Sequence, residues 1–257
     1  MMKSLMRSLY YYAPSTLYNA DKQIERFAKL KVVKPVVFQQ LSLDSVTMSS
    51  FSADHPLNNY RHAVVKRVFD VAFSLLVCFF ILSWLVPIIA ILIKLESKGP
   101  VFFKQLRTGK DNQPFFCYKF RSLKINDEAD KKQVTSNDSR VTKIGKFLRK
   151  SSIDEMPQFI NVLLGQMSIV GPRPHMLKHT DDFSEVVKNY KVRHLVKPGV
   201  TGLAQVSGFR GEILHEDQLI NRVEKDFNYI ENWNIFLDLK IIYLTVYNTF
   251  ANNENAY

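Results

Sequence analysis

Hydrophobic and polar positions change their period several times along this chain, and each change marks an element. Between Asp21 and Lys34, Ile24, Phe27, Ala28 and Lys31 fall at helical spacing, which predicts an amphipathic helix. PVVFQQ (35–40) reads as a short strand, and the Ser-rich stretch that follows, up to His55-Pro56, reads as a linker. The pattern then turns apolar throughout: Val71 to Ile93 is 23 residues without a charge. Lys98-Gly99-Pro100 marks a turn. VFFKQ (101–105) and FFCYKFRSL (115–123) predict two strands folded about a turn at Gly109 to Pro114. RVTKIGKFLRK (140–150) is a basic helix with Val141, Ile144, Phe147 and Leu148 on one face. Ser152 to Leu164 predicts the next helix, ended by Gly165. SIVGPRP (168–174) and KPGVTG (197–202) read as a loop and a turn, and further helices are predicted around 182–192, 216–232 and 235–250. No repeat is visible.

The apolar run is long enough to reach across a bilayer core of ~30 Å, begins too late for a cleavable signal peptide and is long for a buried core helix. Arg61, Lys66 and Arg67 precede it, and Lys94, Lys98, Lys104, Arg107 and Lys110 follow, so the positive-inside preference would hold both ends on the cytoplasmic side. Pro87 cannot donate to the carbonyl of Ser83 and should kink or break the helix. The arm from 71 to 86 would measure roughly 24 Å, short of a full crossing. These features favour a broken helix that dips in and returns over one that spans. Ser83 is the one obvious local partner for backbone groups freed at the break. The expected architecture is α+β: a helix-rich domain with a small β-hairpin, mounted on a re-entrant membrane helix. Its parts would be an N-terminal extension and linker (1–60), a membrane-inserted segment (61–94) and a cytoplasmic domain (95–257).

Composition narrows the chemistry. Of 257 residues, 35 are Lys or Arg and 24 are Asp or Glu, for a net charge of +11. Basic residues exceed acidic ones by ten over 94–200, whereas acidic residues exceed basic ones by four over 201–257. A basic middle suggests an anionic partner: nucleic acid, lipid headgroups or a phosphorylated substrate. Nucleic acid is disfavoured, because no helix-turn-helix, zinc finger or RNP motif is present. The two cysteines, Cys78 and Cys117, form no metal-binding or disulfide pattern.

The most informative local arrangement is RKSSIDEMP (149–157). Pro157 belongs in a helix's first turn, which puts Asp154 at or beside the N-cap and Glu155 in that turn. Acids there are ordinary caps. A carboxylate at a positive helix end also stays ionised, available as a nucleophile or metal ligand. Arg149, Lys150, Lys119, Arg121 and Arg173 carry more positive charge than two carboxylates require. That surplus points to a third, anionic participant such as a phosphate. The C-terminal aromatics Tyr229, Trp233, Phe236, Tyr243, Tyr247 and Phe250 recur at helical intervals. They fit either a core-facing stripe or a helix lying at a membrane interface.

RVFD (67–70), KLESKGPVFFKQLRTG (94–109), YKFRSL (118–123), IGKFLRKSSIDEMPQFINVLLGQMSIVGPRP (144–174) and KPGVTGLAQVSG (197–208) together resemble the bacterial sugar transferase family. These are the monotopic polyprenyl-phosphate phosphoglycosyl transferases. HMLKHT (175–180), VRHLVKPG (192–199), GFRGE (208–212) and YIENWNIFLDLKIIYLTVYN (229–248) are similar to the subgroup of undecaprenyl-phosphate glucose phosphotransferases. The resemblance implies that Asp154 attacks the β-phosphorus of a UDP-sugar (UDP-glucose or UDP-galactose), releasing UMP and leaving a phosphosugar on the enzyme. Undecaprenyl phosphate would then accept it, as the first step in building exopolysaccharide, capsule or O-antigen repeat units. Glu155 would complete an Asp-Glu dyad holding Mg²⁺. Lys119, Arg121, Arg149 and Arg173 would bind phosphate, and Pro198, Gly199, Thr201, Gly202 and Arg210 would form a nucleotide-side loop. Ser83 and Pro87 would form the membrane break. The implied location is the bacterial inner membrane with the active domain on its cytoplasmic face, beside other polysaccharide-assembly enzymes. Gln166 and Leu203 depart from the family's usual Asp and Trp, which leaves room for a second reading, a catalytically inactive membrane scaffold. Longer members carry a transmembrane bundle and a nucleotide-binding-like domain ahead of this region, where about 60 residues stand here.

Overall fold

A computed structural model describes residues 55–125, 138–211, 213 and 215–251. The helix expected at 21–34, the strand at 35–40 and most of the Ser-rich linker lie outside the described residues. The first helix, α1, runs Tyr60–Glu96. It is followed by the strands β1 (Phe102–Thr108) and β2 (Pro114–Phe120), then helices α2 (Lys143–Lys150) and α3 (Gln158–Leu163) and strand β3 (Ser168–Val170). Next come α4 (Leu177–Val186), β4 (Gly199–Thr201) and the short α5 (Leu203–Val206), with α6 (Glu216–Glu231) and α7 (Ile235–Ala251) closing the chain. The fold is thus helix-rich α+β, as expected. β1 and β2 form the anticipated antiparallel hairpin, pairing Phe102 with Phe120 and Thr108 with Pro114. The loop and turn predicted at 168–174 and 197–202 instead contain a two-stranded parallel ladder, with Ser168 opposite Gly199 and Val170 opposite Thr201. Three-residue strands are too short to show alternation, so the sequence pattern hides them.

Pro87 does not end α1. The helix continues through it to Glu96, and the irregularity falls one turn earlier, as a π turn at Cys78–Leu82. There the Ser83 N–H reaches back five residues to the Cys78 carbonyl, while the Ser83 hydroxyl donates to Phe79 and the Trp84 indole N–H to Phe80. Side chains therefore serve carbonyls that the widened turn leaves exposed, which is how helices tolerate such defects at membrane depth.

Both ends of α1 are tied to the same body. Near its start, Lys66 pairs with buried Asp238 of α7 at 2.7 Å, and Arg67 donates to the carbonyls of Val162 and Leu163 at the end of α3, at 2.6 and 2.9 Å. Asp70 accepts from the Ser168 hydroxyl and the Ile169 N–H of β3, both at 3.0 Å. At its other end Ile89 and Ile93 pack with Phe120 and Leu148, and the Glu96 carboxylate caps α2 by accepting from the N–H groups of Lys143 and Ile144. The exposed apolar side chains Leu75, Leu76, Phe79, Phe80, Ile81 and Trp84 gather between these anchors.

The main core joins Val77 and Leu82 of α1 to Phe115 and Cys117 of β2, Phe159 and Val162 of α3, Ile169 and Val170 of β3, and the inner faces of α6 and α7. The C-terminal aromatics divide between the two readings. Tyr229 and Trp233 are core residues whose O–H and N–H donate to Asp238. Phe236 and Phe250 are 78% and 81% exposed, and Tyr243 and Tyr247 stack on each other on the same outer face of α7. A single stripe is not formed because the break between α6 and α7 rotates the two sets apart.

Candidate active site

The dyad lies in a 3-10 turn, Ile153–Glu155, between α2 and α3. This corrects the expected helix start: Pro157 precedes α3, and Asp154 stands three residues further upstream, so neither acid is an N-cap of α3. The chain reverses at Ser152, whose φ of 60° is left-handed and unusual for a non-glycine residue, and such positions recur at functional sites. Asp154 and Glu155 are only 5% and 7% exposed.

Cations converge on Glu155. Lys119, from β2, reaches its Oε1 at 2.7 Å, and Arg173 binds both oxygens, NH2 to Oε1 at 2.7 Å and NH1 to Oε2 at 3.1 Å. Arg210 lies 3.9 Å from Oε2 and donates to the Ser152 hydroxyl at 2.6 Å. The two carboxyls therefore separate electrostatically. Burial alone would raise Glu155, but the Arg173 and Lys119 charges outweigh it and hold the group well below the usual carboxylate range. Asp154 is pushed up to about 6, by burial first and by repulsion from Glu155 second, against the opposing charges of Lys119, Arg149 and Arg173. Near neutrality Asp154 is thus mostly ionised but poorly solvated, a state suited to a nucleophile.

Arg173 sits in the loop after β3, and the glycines of the 197–202 segment pack closely against that loop. Gly171 N–H donates to the Thr201 carbonyl at 2.9 Å, and Gly199 N–H to Pro172 at 3.0 Å. A Cβ on Gly199 would stand 2.1 Å from the Gly171 nitrogen, and one on Gly202 would stand 2.2 Å from the Gly171 oxygen. Pro198 accepts from Ser168, and Thr201 bonds Thr245 of α7. Gly199→Ala is therefore expected to displace the Arg173 loop, lowering both the melting temperature and turnover. A variant matching the parent in both would show that the crossing is not tight.

Arg121 is not with the cluster. Its guanidinium donates to the carbonyls of Ser97 and Lys98, just after α1, at 2.7 and 2.6 Å. Arg149, half-buried in the last turn of α2, contributes its charge to Asp154. Ser83 and Pro87 belong to α1, as described above.

Several positioning residues escaped the sequence reading. Arg193 is fully buried, bonds Asp226 through Nε and NH2 at 3.0 and 2.7 Å, and donates to the Arg173 carbonyl at 2.8 Å. His175 meets Tyr190 and Arg193 from the same loop, and burial followed by Arg193 keeps its ring neutral. Asn161 ties α3 to β2 through the Tyr118 N–H and the Phe116 carbonyl, and also donates to Gln166. Asp70 alone left a signal, as the last charge before the apolar run.

Among the described residues no group of three or more His, Cys, Asp or Glu side chains could hold a metal by itself. The donor chemistry still suits Mg²⁺, which needs one or two carboxylates and takes its remaining ligands from phosphate oxygens and water. Asp154 and Glu155 would supply those carboxylates, Glu155 through an oxygen that Lys119 or Arg173 now engages.

The chain matches the family described as "Bacterial sugar transferase" over residues 61–252, which includes α1 and the whole site. It is 49% identical over 205 residues to a Klebsiella pneumoniae protein named UDP-glucose:undecaprenyl-phosphate glucose-1-phosphate transferase, covering 79% of this chain and 43% of that protein. An Escherichia coli (strain K12) protein of the same name is 47% identical, over 77% of this chain and 43% of its own length. A Caulobacter vibrioides protein of that name is 43% identical, over 79% and 75%. The match thus spans less than half of the first two relatives and three quarters of the third. With the family's region matched from the first anchors of α1 through the dyad to the end of α7, the chain belongs to the bacterial sugar transferase family.

Proposed function

We propose that the protein transfers a sugar 1-phosphate from a UDP-sugar, UDP-glucose in the first instance, to undecaprenyl phosphate with release of UMP. The observation that carries this reading is the unequal dyad: one carboxylate locked in ion pairs, the other buried, raised and left to react. In the first step an Asp154 oxygen attacks the β-phosphorus, and the bond to the bridging oxygen breaks with its electron pair leaving on UMP. In the second step an oxygen of undecaprenyl phosphate attacks the same phosphorus and frees the Asp154 carboxylate. No proton need move in either step, so charge neutralisation and positioning carry the catalysis. Lys119, Arg173 and Arg210 supply that charge, and Glu155 holds them in place. Mg²⁺, bound with the diphosphate, would neutralise charge on the phosphate oxygens. The family and the relatives' names support this assignment, and the lipid-linked product would serve as the start of surface-polysaccharide assembly. Incubating the full chain with a panel of UDP-sugars and undecaprenyl phosphate tests it: UMP should appear with UDP-glucose. Absence of UMP with every donor contradicts the reading and favours a scaffold.

The proposed site of action is the cytoplasmic face of the bacterial inner membrane, with α1 entering and leaving by that face. Support comes from the anchoring of both ends of α1 to one body, the exposed apolar middle and the basic flanks. A cysteine introduced near the N-terminus should be labelled only after the membrane is permeabilised; labelling from the periplasmic side in intact cells would establish a spanning helix instead. Phe236, Tyr243, Tyr247 and Phe250 on the outer face of α7 suit the headgroup level, where aromatic rings concentrate. Replacing Tyr243, Tyr247 and Phe250 with Ser should loosen vesicle binding while leaving the melting temperature close to the parent's. A collapse of cooperative melting would assign these rings to packing.

A further inference from the structure

Arg222 has no role in the chemistry described so far, yet it lies within reach of the Arg173 charge. It occupies the inward face of α6 with Leu219, Val223 and Asp226, and is 6% exposed. A buried guanidinium ordinarily meets a carboxylate, because the charge alone is costly to desolvate. Asp226, one turn further along α6, would be the natural partner, but its Oδ2 is engaged by Nε and NH2 of Arg193. Arg222 turns instead to the Gly211 carbonyl, to which NH2 donates at 2.7 Å, and its Nε has no partner among the described residues. Burial and then the charges of Arg173 and Arg193 bring it down to about 10, so it remains a cation at neutral pH. Arg193 and Arg222 thus share one carboxylate, Asp226, while Glu155 is occupied by Arg173 and Lys119. The bond to Gly211 also places Arg222 under the turn that carries Arg210, whose side chain extends to Ser152 and the dyad.

We propose that Arg222, acting with Arg210, forms a second phosphate-binding pocket, apart from the close ion pairs that Lys119 and Arg173 make with Glu155. The inference rests on the proposed transfer reaction, in which two phosphates besides the transferred one pass through the site: that of the departing UMP and that of the lipid acceptor. Both offer the same chemistry, a phosphate monoester whose oxygens match the free Nε edge of a guanidinium. A bound phosphate would supply the negative charge that Arg222 otherwise shares with Arg193 at Asp226, which makes Arg222 a binding residue rather than a structural one.

The test compares ligands with and without the phosphate on the full chain in detergent. In the parent, UMP should bind more tightly than uridine. If the pocket holds the nucleotide phosphate, Arg222→Gln should cut the UMP-to-uridine affinity ratio about tenfold while the uridine affinity stays at the parent's value. If it holds the acceptor phosphate, the ratio should stay unchanged while the KM for undecaprenyl phosphate rises about tenfold. Either shift supports the pocket. It is overturned if neither quantity moves, or if uridine binding falls as far as UMP binding, which marks a structural role. Should Arg222→Gln lose its cooperative melting, Arg222→Lys decides: without the fork, the UMP ratio or the acceptor KM should change severalfold, and parental values of both overturn the proposal. A parent that releases no UMP from any UDP-sugar defeats the transferase reading, whereas a parent that turns over while the Arg222 variants match it defeats this pocket alone.

Discussion

Asp154→Asn is expected to lose UMP release by several orders of magnitude and yet to melt no lower than the parent at pH 7. The activity loss follows because the amide cannot attack phosphorus. The stability follows from the sign of the shift. Asp154 titrates above its ordinary value, at about 6, because burial and Glu155 disfavour its charge. Its contribution to stability is therefore present at low pH and is lost as the pH rises through about 6. A neutral, nearly isosteric Asn removes that penalty, raising the melting temperature by roughly a few degrees. The advantage should fade below pH 6, where Asp154 in the parent is itself protonated. A variant that melts lower at pH 7, or one that retains substantial turnover, would remove Asp154 from the role assigned to it.

Glu155→Gln should lower turnover by roughly a hundredfold or more, on the scale seen when a preorganised electrostatic group is removed. It should also move the pH profile. In the parent, the rate should fall as the pH drops through about 6, where Asp154 takes up a proton. Neutralising Glu155 removes a charge that raises Asp154 and releases Lys119 and Arg173, whose charges lower it. Both changes act in the same direction, so the acid limb should shift to lower pH. An unshifted limb at about 6 would mean that some group other than Asp154 controls it.

What could be read from the sequence was what has a strong local signature. The uncharged run, the hairpin around Gly109, α2, α6, α7 and the DE pair preceding a proline all announce themselves through period, turn residues or charge. Gly165, with φ of 82°, ends α3 where the sequence placed the stop. The remainder depends on contacts distant in sequence. Arg121 and Arg173 are both loop or strand-edge arginines in a basic region, but one serves the backbone after α1 and the other binds Glu155. Nothing local distinguishes them. The glycines at 199 and 202 look like a flexible turn until Gly171 is brought against them. Arg193 and Asp226 lie 33 residues apart, and their pairing emerges only once α6 packs under the Arg173 loop. Pro87 stays within the helix, and the irregularity is instead a π turn at Cys78–Leu82, where Ser83 and Trp84 side chains donate to the carbonyls of Phe79 and Phe80.

Intact-mass spectrometry of the full chain after incubation with UDP-glucose, without any lipid acceptor, tests the central claim most directly. The account predicts a protein species heavier by one hexose phosphate, located on Asp154 by peptide mapping, absent from Asp154→Asn and discharged when undecaprenyl phosphate is added. An unmodified chain that still releases UMP once acceptor is supplied, or an adduct on another residue, would contradict it.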